Sequence, residues 1–134
     1  HLAYSGMKTP TQVVIAHINQ KEKENPEHFR RIFEEINSLT NQAVDAIQKN
    51  DLSHFGFLLD QAHEQMILLG LENESLADLR KIFLQDPLVL GSKISGSGLG
   101  DCLVVLAKTL SPSSQSHCLS LMPDSAGLEI DMEC

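Results

Sequence analysis

The chain is short of positive charge. Its 134 residues include ten Lys and Arg against 18 Asp and Glu, which gives a formal net charge of −8 at pH 7. Sequence-independent binding to nucleic acid or to an anionic membrane depends on positive charge, and no block of basic residues supplies it here. The composition therefore argues against nucleic acid and against a membrane surface as partners.

Long apolar runs and paired cysteines are missing too. The longest apolar run, Cys102–Ala107, is far shorter than the roughly 20 residues that a membrane-spanning helix needs, and no signal peptide is visible. The three cysteines form no Cys-x-x-Cys pair, which argues against a zinc site. An odd number of widely spaced cysteines is typical of a reduced protein, so we expect a cytoplasmic location.

Glycine is concentrated in one segment, 93–102, which reads Lys-Ile-Ser-Gly-Ser-Gly-Leu-Gly-Asp-Cys. Strand-like apolar segments flank the glycines at 90–95 and Cys102–Ala107, which predicts a turn between two strands. Glycine leaves backbone N–H groups open to close approach, and loops of this kind form anion-binding concavities. Phosphate is therefore the first ligand to consider.

Spacing excludes two better-known phosphate motifs. A Walker loop needs a Gly-Lys pair before a helix, and the chain has no such pair. The dinucleotide fingerprint needs a glycine three positions after the second one, where Asp101 stands, and then a helix, where a strand is predicted. A Gly/Ser hairpin turn without a ligand remains the alternative interpretation of this segment.

Apolar residues at steps of three and four predict four helices before the glycine segment. The first begins with Thr9 as N-cap and Pro10 in its first turn. The N-caps predicted for the other helices are Asn25, Asp51, and Asn73 or Ser75. The second helix carries one continuous apolar stripe, formed by Phe29, Ile32, Phe33, Ile36, Leu39, Ala43 and Ile47.

After Pro87 the apolar period changes from 3.6 to two residues. The predicted strands, with the one near the start of the chain, are 2–4, 89–95, 101–107, 117–122 and 127–131. A polar loop is predicted at 108–116 and a turn at 123–127. This order of elements predicts one α+β domain over 1–134, with helices packed on one face of an antiparallel sheet.

The glycine segment resembles the third conserved motif of the GHMP kinases, a superfamily of small-molecule kinases. The family pattern is Lys, apolar, Thr or Ser, Gly, Ala or Ser, Gly, any residue, Gly, Gly, Cys, and then an apolar strand. The chain matches it at Lys93, Ile94, Ser95, Gly96, Ser97, Gly98, Leu99, Gly100 and Cys102. Asp101 departs from the pattern, because the family usually has glycine there.

Other segments extend the resemblance over most of residues 2–107. The stretch 58–70 is similar to the family's helix before the motif, although Ala62 stands where that helix often has Asn. The segment 76–79 is similar to the Leu-Asp-x-Leu helix that follows. The segment 4–11 resembles the strand-to-helix entry of the mevalonate kinase branch, which makes that branch the closest.

The resemblance implies a ferredoxin-like C-terminal domain of an ATP-dependent kinase whose acceptor is a small-molecule alcohol. The ATP-phosphate loop of the family, with Mg²⁺ and the catalytic groups, would then belong to an N-terminal domain, because its Pro-x-x-x-Gly-Leu-Gly-Ser-Ser sequence is absent here. The implied partners are ATP, the alcohol and that N-terminal domain, and the resemblance allows a homodimer. The chain alone is expected to be inactive.

The resemblance also implies roles for single residues. The phosphate or substrate loop would comprise Ser95, Gly96, Ser97, Gly98 and Gly100. Thr11 and Lys93 are candidate substrate contacts, and no catalytic or metal-ligating residue is expected in the chain. Asp101 would repel a phosphate about 4 Å away by roughly 4 kcal/mol, so its side chain is expected to point away; a basic partner or Mg²⁺ is the alternative. His63 is expected to be a core histidine rather than a base.

Two classes of function stay open at this point. If the chain belongs to a kinase, the acceptor could be homoserine, phosphomevalonate or a sugar instead of mevalonate, because most specificity residues of the family lie upstream. Outside the enzymes, the alternative is a non-catalytic ferredoxin-like ligand-binding module.

Overall fold

The computed structural model describes residues 1–119. They form β1 (Leu2–Tyr4), α1 (Thr11–Glu24), α2 (Pro26–Gln48), α3 (Leu52–Leu68), α4 (Glu74–Leu84), β2 (Val89–Ser95), β3 (Cys102–Ala107), α5 (Pro112–Gln115) and β4 (Cys118–Leu119). None of these helices is long and apolar enough to cross a membrane. The strand predicted at 127–131, the turn at 123–127 and the last part of the strand at 117–122 lie outside the described residues.

The four strands of residues 1–119 form one antiparallel sheet in the order β2-β3-β1-β4. One face is buried under the helices, and its side chains Ala3, Ile94, Leu103 and Val105 are at most 1% exposed. The other face leaves Tyr4 55% and Leu119 69% exposed. The predicted α+β architecture, with helices on one face of an antiparallel sheet, is confirmed.

Three of the predicted helix starts are confirmed and one is wrong. The side chains of Asn25, Asp51 and Asn73 accept backbone N–H bonds from His28, His54 and Leu76 at 3.3, 3.0 and 3.0 Å. Helix α1 begins at Thr11 after Pro10 and has no side-chain cap. Thr9 is not its N-cap, because its hydroxyl bonds to the glycine segment instead.

The apolar stripe of α2 is narrower than predicted. Phe33 and Ile47 are 43% and 55% exposed, and Ala46 is buried in place of Ile47. The C-terminal half of α2 packs on α3 in a small separate cluster with Leu58. A single partner helix covers only one narrow face there, so the edges of the predicted stripe face solvent.

Helix α3 lies along the edge of β2 opposite to the one that pairs with β3. The Ser92 N–H donates to a carboxylate oxygen of Asp60 at 3.0 Å, and Arg80 pairs with the same oxygen at 3.0 Å. The approach is closest at two glycines, because a Cβ on Gly91 would lie 1.9 Å from the carbonyl oxygen of Gly56. Side chains of α3 therefore pair strand amides that would otherwise be open to solvent or to another chain.

The loop predicted at 108–116 contains the short helix α5, so that prediction was wrong. Asp86, at the end of α4, organises it. Its carboxylate accepts the Ser111 N–H at 2.9 Å, the Ser111 hydroxyl at 2.8 Å and the Leu88 N–H at 3.0 Å. These bonds hold Ser111 where the helix starts, and a serine-rich composition alone gives no sign of such a distant partner.

We expect Asp86→Asn to remove a pH-dependent part of the stability. Hydrogen bonds from Ser114 and Ser111 hold the pKa of Asp86 well below its usual range. The carboxylate therefore stabilises the fold above about pH 3.9, the pKa of Asp in an unfolded chain, and this stabilisation is lost as the pH falls below that value. Urea midpoints measured from pH 7 to pH 3 should fall more steeply in the wild type than in the variant, and equal slopes would contradict the assignment.

Candidate functional site

The connection between β2 and β3, residues 96–101, has an unusual backbone, and we call it the glycine loop. Positive φ angles occur at Gly96, Gly98, Leu99, Gly100 and Asp101. Glycine adopts such angles without steric cost, whereas Leu99 at φ +55° and Asp101 at φ +72° are in a region that L-residues avoid. Contacts with other segments must therefore stabilise this conformation.

The first such contact is with Leu71, in the connection between α3 and α4. The Leu99 N–H donates to the carbonyl oxygen of Leu71 at 2.6 Å. A Cβ on Gly98 would lie 2.7 Å from both the Cβ and the carbonyl oxygen of Leu71, which is itself a core residue. Packing as well as backbone conformation therefore requires glycine at position 98.

The second contact is with the segment between β1 and α1. The Asp101 N–H donates to the carbonyl oxygen of Met7 at 2.6 Å, and the Ser5 N–H donates to that of Asp101 at 2.8 Å. The Thr9 hydroxyl donates to the carbonyl oxygen of Leu99 at 2.5 Å. Because α1 begins two residues after Thr9, its unpaired first N–H groups and the positive end of its dipole lie close to the loop.

The open side of the glycine loop lies at residues 95–97, and the loop carries unpaired hydrogen-bond donors there and at the buried Gly100. Within residues 1–119 no hydrogen bond involves the amide N–H of Gly96, Ser97 or Gly100, or the hydroxyl of Ser95 or Ser97. A Cβ on Gly96 would have one neighbour within 4 Å, a carboxylate oxygen of Asp101 at 3.5 Å. Backbone donors at an unobstructed glycine suit an anion such as phosphate.

The sequence predicts that the Asp101 side chain points away from the loop, and this prediction is wrong. Its left-handed backbone turns the carboxylate back toward Gly96, and one oxygen lies 3.5 Å from the sulfur of Cys102. Burial and this carboxylate raise the pKa of the Cys102 thiol, so the sulfur is not a thiolate nucleophile. No Lys or Arg among the described residues forms an ion pair with Asp101.

The structure separates the two candidate substrate contacts. Thr11 is exposed at the first position of α1, beside the segment that holds the loop. The Lys93 ammonium instead donates to the carbonyl oxygen of Ile94 at 2.7 Å and lines a groove of about 130 Å³ between α2 and α3. Burial lowers the pKa of Lys93. Thr11 therefore lies near the loop, whereas the Lys93 side chain is directed to the helices.

Three residues at the site were not assigned to it from the sequence: Thr9, Leu71 and Lys8. Thr9 and Leu99 are separated by 90 positions in the chain, and local spacing cannot show which distant segments meet. Lys8 is exposed, and its positive charge acts on the Cys102 thiol at the end of the loop. A basic residue beside the unpaired donors adds to the attraction for an anion.

We expect Thr9→Val to loosen the glycine loop without unfolding the chain. The substitution keeps the shape of the side chain and removes one hydrogen bond, worth about 1 kcal/mol. Hydrogen exchange at the Leu99 amide should become roughly fivefold faster. Thr40→Val is the matched control, because the Thr40 hydroxyl donates within its own helix, to Ile36. Equal exchange at Leu99 in both variants would contradict the role of Thr9.

Residues 43–115, more than half of the chain, match the family described as "GHMP kinases C terminal". The chain belongs to this family. The matched range contains α3, α4, β2, the glycine loop and β3. The resemblance that the glycine segment carried is therefore confirmed, and the loop lies in the part of the chain that defines the family.

Two curated relatives represent two branches of the GHMP kinases. The chain is 36% identical over 73 residues to a galactokinase from Levilactobacillus brevis, a match that covers 54% of the chain and 19% of that protein. It is 28% identical over 111 residues to a mevalonate kinase from Pyrococcus furiosus, a match that covers 79% of the chain and 33% of that protein. The chain thus matches a third or less of the length of these relatives.

A solved structure has the same fold. Mevalonate kinase from L. major, in complex with R-mevalonate, superposes with a TM-score of 0.77 at 24% identity. The match covers 87% of the chain and 35% of that enzyme. At this level of identity the likeness establishes the fold, and it agrees with the family assignment.

Proposed function

We propose that this chain is the C-terminal domain of an ATP-dependent small-molecule kinase whose acceptor is a hydroxyl group of mevalonate. The observation that carries the proposal is the open side of the glycine loop. The amides of Gly96, Ser97 and Gly100 and the hydroxyls of Ser95 and Ser97 have no partner within residues 1–119. Four of these donors belong to the exposed or partly exposed residues 95–97, whereas the fifth, the Gly100 amide, belongs to a buried residue.

These donors would bind the oxygens of the phosphoryl group during its transfer. A hydrogen bond to a charged oxygen contributes roughly 1.5–3 kcal/mol, and phosphoryl transfer depends mainly on positioning and on charge stabilisation. The positive end of the α1 dipole and Lys8 add favourable electrostatics, whereas the Asp101 carboxylate beside Gly96 repels a phosphate and requires a cation between them. The part that this chain plays in catalysis is thus to position and stabilise the transferred group.

The part of the chain that the structure describes holds no cluster of metal ligands. Within residues 1–119 no three His, Cys, Asp or Glu side chains lie together as metal ligands, and Asp101 at the loop has no second carboxylate that such a cluster would need. Mg²⁺ at such sites is usually held by one or two carboxylates together with substrate phosphates, so a metal ion that arrives with ATP does not need a cluster of this kind. We infer that ATP, its metal ion and the catalytic base are held by an N-terminal domain outside this chain, in keeping with its coverage of 33% of the mevalonate kinase relative.

We favour mevalonate over galactose as the acceptor because the alignment with a mevalonate kinase covers more of the site than the alignment with the galactokinase does. The galactokinase match spans 73 residues, too few to contain both Thr9 and Leu99, which are 90 positions apart. The match to a second mevalonate kinase covers 96% of this chain, so it must contain both. The segment between β1 and α1 holds the loop in position, so a relative that shares both segments is the better guide to the acceptor.

The proposal is tested on the longer parent protein that contains this chain. ATP-dependent release of ADP should be measured with mevalonate, phosphomevalonate, homoserine and galactose as separate acceptors. We expect turnover with mevalonate and little with the other three. Turnover with galactose alone would move the assignment to the galactokinase branch, and a folded parent protein that uses none of them would contradict the kinase proposal.

The same assay on the isolated 134-residue chain provides an internal check. We expect no turnover with any acceptor, because the metal, the base and most of the ATP site are placed outside the chain. Measurable turnover by the isolated chain would show that this division of roles is wrong.

A further inference from the structure

His63 is fully buried in α3 and bonded through both ring nitrogens. Its Nδ1 accepts the backbone N–H of Ile94 at 3.2 Å, and its Nε2 lies 2.8 Å from a carboxylate oxygen of Glu72. The expectation of a core histidine is met, but the core position does not explain why both nitrogens have partners on different segments of the chain.

These two bonds fix the protonation state of the ring. A backbone N–H can only donate, so Nδ1 must carry a lone pair, and the proton must sit on Nε2, where it is donated to Glu72. Burial, and then the positive charge of Arg80, lower the pKa of His63. The neutral ring with the proton on Nε2 is therefore the form that holds the structure together.

Both partners of His63 adjoin the supports of the glycine loop. Ile94 lies in β2 two positions before Gly96, where the loop begins. Glu72 directly follows Leu71, whose carbonyl oxygen accepts the Leu99 N–H at 2.6 Å. The imidazole ring thus joins the strand that enters the loop to the segment on which the middle of the loop rests.

We propose that His63 is a positioning residue for the glycine loop: its neutral ring clamps β2 to the connection between α3 and α4, and so holds the phosphate-binding amides in place. The inference rests on the proposed function of the loop, but the clamp itself can be measured without turnover. His63 does not touch the open side of the loop and acts through Ile94 and Glu72.

Acid should release this clamp at the strand. A proton added to Nδ1 would set a ring N–H against the Ile94 N–H, and that bond would be lost, while the charged ring would stay paired with Glu72. The charged groups that act on the ring are Arg80 on α4, Glu72, and Glu64 on α3, and Asp60 on α3 is paired with Arg80. The side chains of β2 on that face, Ser92 and Ile94, carry no charge.

Two conservative variants test the two hydrogen bonds of His63 separately. His63→Asn keeps an acceptor near the position of Nδ1, and His63→Gln keeps a donor near that of Nε2, but neither titrates. Leu58→Ala is the control, because it destabilises the separate cluster between α2 and α3. In the parent protein, hydrogen exchange at the Leu99 amide, relative to that in α2, should rise roughly tenfold in each His63 variant and not in the control.

The pH dependence of Leu99 protection distinguishes a hydrogen-bonding role of His63 from a role in packing alone. In the wild type, protection of the Leu99 amide and kcat/KM for ATP should both decline together as acid protonates His63, whereas in His63→Asn the protection should be independent of pH. Unchanged Leu99 exchange in both His63 variants of an active parent kinase would overturn the inference and leave the proposed function intact. Faster Leu99 exchange in a parent protein that transfers no phosphate would support the clamp and contradict the proposed function.

Discussion

Gly98→Ala should reduce kcat/KM of the parent kinase by roughly 100-fold. The new Cβ would lie 2.7 Å from the backbone and the Cβ of Leu71, which is buried and cannot move aside. The residue would also have to keep φ at +82°. The loop must therefore shift away from Leu71, and a displacement of about 1 Å at a site that positions reacting groups costs on the order of 100-fold in rate.

Gly6 provides a matched control for this result, and Gly96 provides a comparison within the loop itself. Gly6 has φ +80° with no atom within 4 Å of its Cβ position, and Gly96 has φ +81° with only the Asp101 carboxylate nearby. All three Ala variants have a similar conformational cost of about 1 kcal/mol. We expect Gly6→Ala to stay within a few-fold of wild-type activity, and Gly96→Ala to raise KM for ATP by obstructing the open side. Equal losses in Gly6→Ala and Gly98→Ala would contradict the packing explanation.

Gly56→Ala should lower the free energy of unfolding by roughly 3 kcal/mol. The opposite sign is the usual one, because replacing glycine by alanine inside a helix stabilises it by about 1 kcal/mol. Here the Cβ would lie 2.2 Å from the carbonyl oxygen of Leu90, so α3 would have to move away from β2. That movement would also strain the hydrogen bonds that strand N–H groups donate to Asp60 and His63.

Urea unfolding of the chain measures this effect. Asn37→Ala, at an exposed position in the middle of α2, is the control and should be slightly stabilising, as helix propensity predicts. Gly91→Ala probes the same contact from the strand and should lower the free energy of unfolding by about as much as Gly56→Ala. A stabilised Gly56→Ala variant would show that α3 does not approach β2 as closely as described.

The parts of the fold that were predicted from the sequence depend on neighbouring residues. Asn25, Asp51 and Asn73 cap helices that begin within three positions of them, and the change of apolar period after Pro87 marks the strands. The errors involve distant partners. Thr9 looks like an N-cap but bonds to Leu99, and the start of α5 depends on Asp86 in a different element.

In the candidate site, too, local features could be predicted from the sequence and contacts between distant segments could not. The run of glycines is visible in the sequence because its spacing is local, and its match to the family motif is confirmed by the family assignment. The supports of the loop are not visible, since Leu71, Met7 and Thr9 come from separate segments that only the fold brings together. The orientation of Asp101 depends on its left-handed backbone, which no pattern of side chains would indicate.

The role of the glycine loop can be tested most directly by NMR on the parent protein labelled with ¹⁵N-glycine. Spectra would be compared before and after saturation with ADP and the phosphorylated acceptor. The amide signal of the exposed Gly96 should shift strongly, because its N–H group would gain an anionic acceptor, and that of the buried Gly100 should shift less. The signals of Gly56 and Gly91, buried between α3 and β2, should stay in place. Unchanged Gly96 and Gly100 signals at saturation would show that the loop does not bind the phosphoryl group.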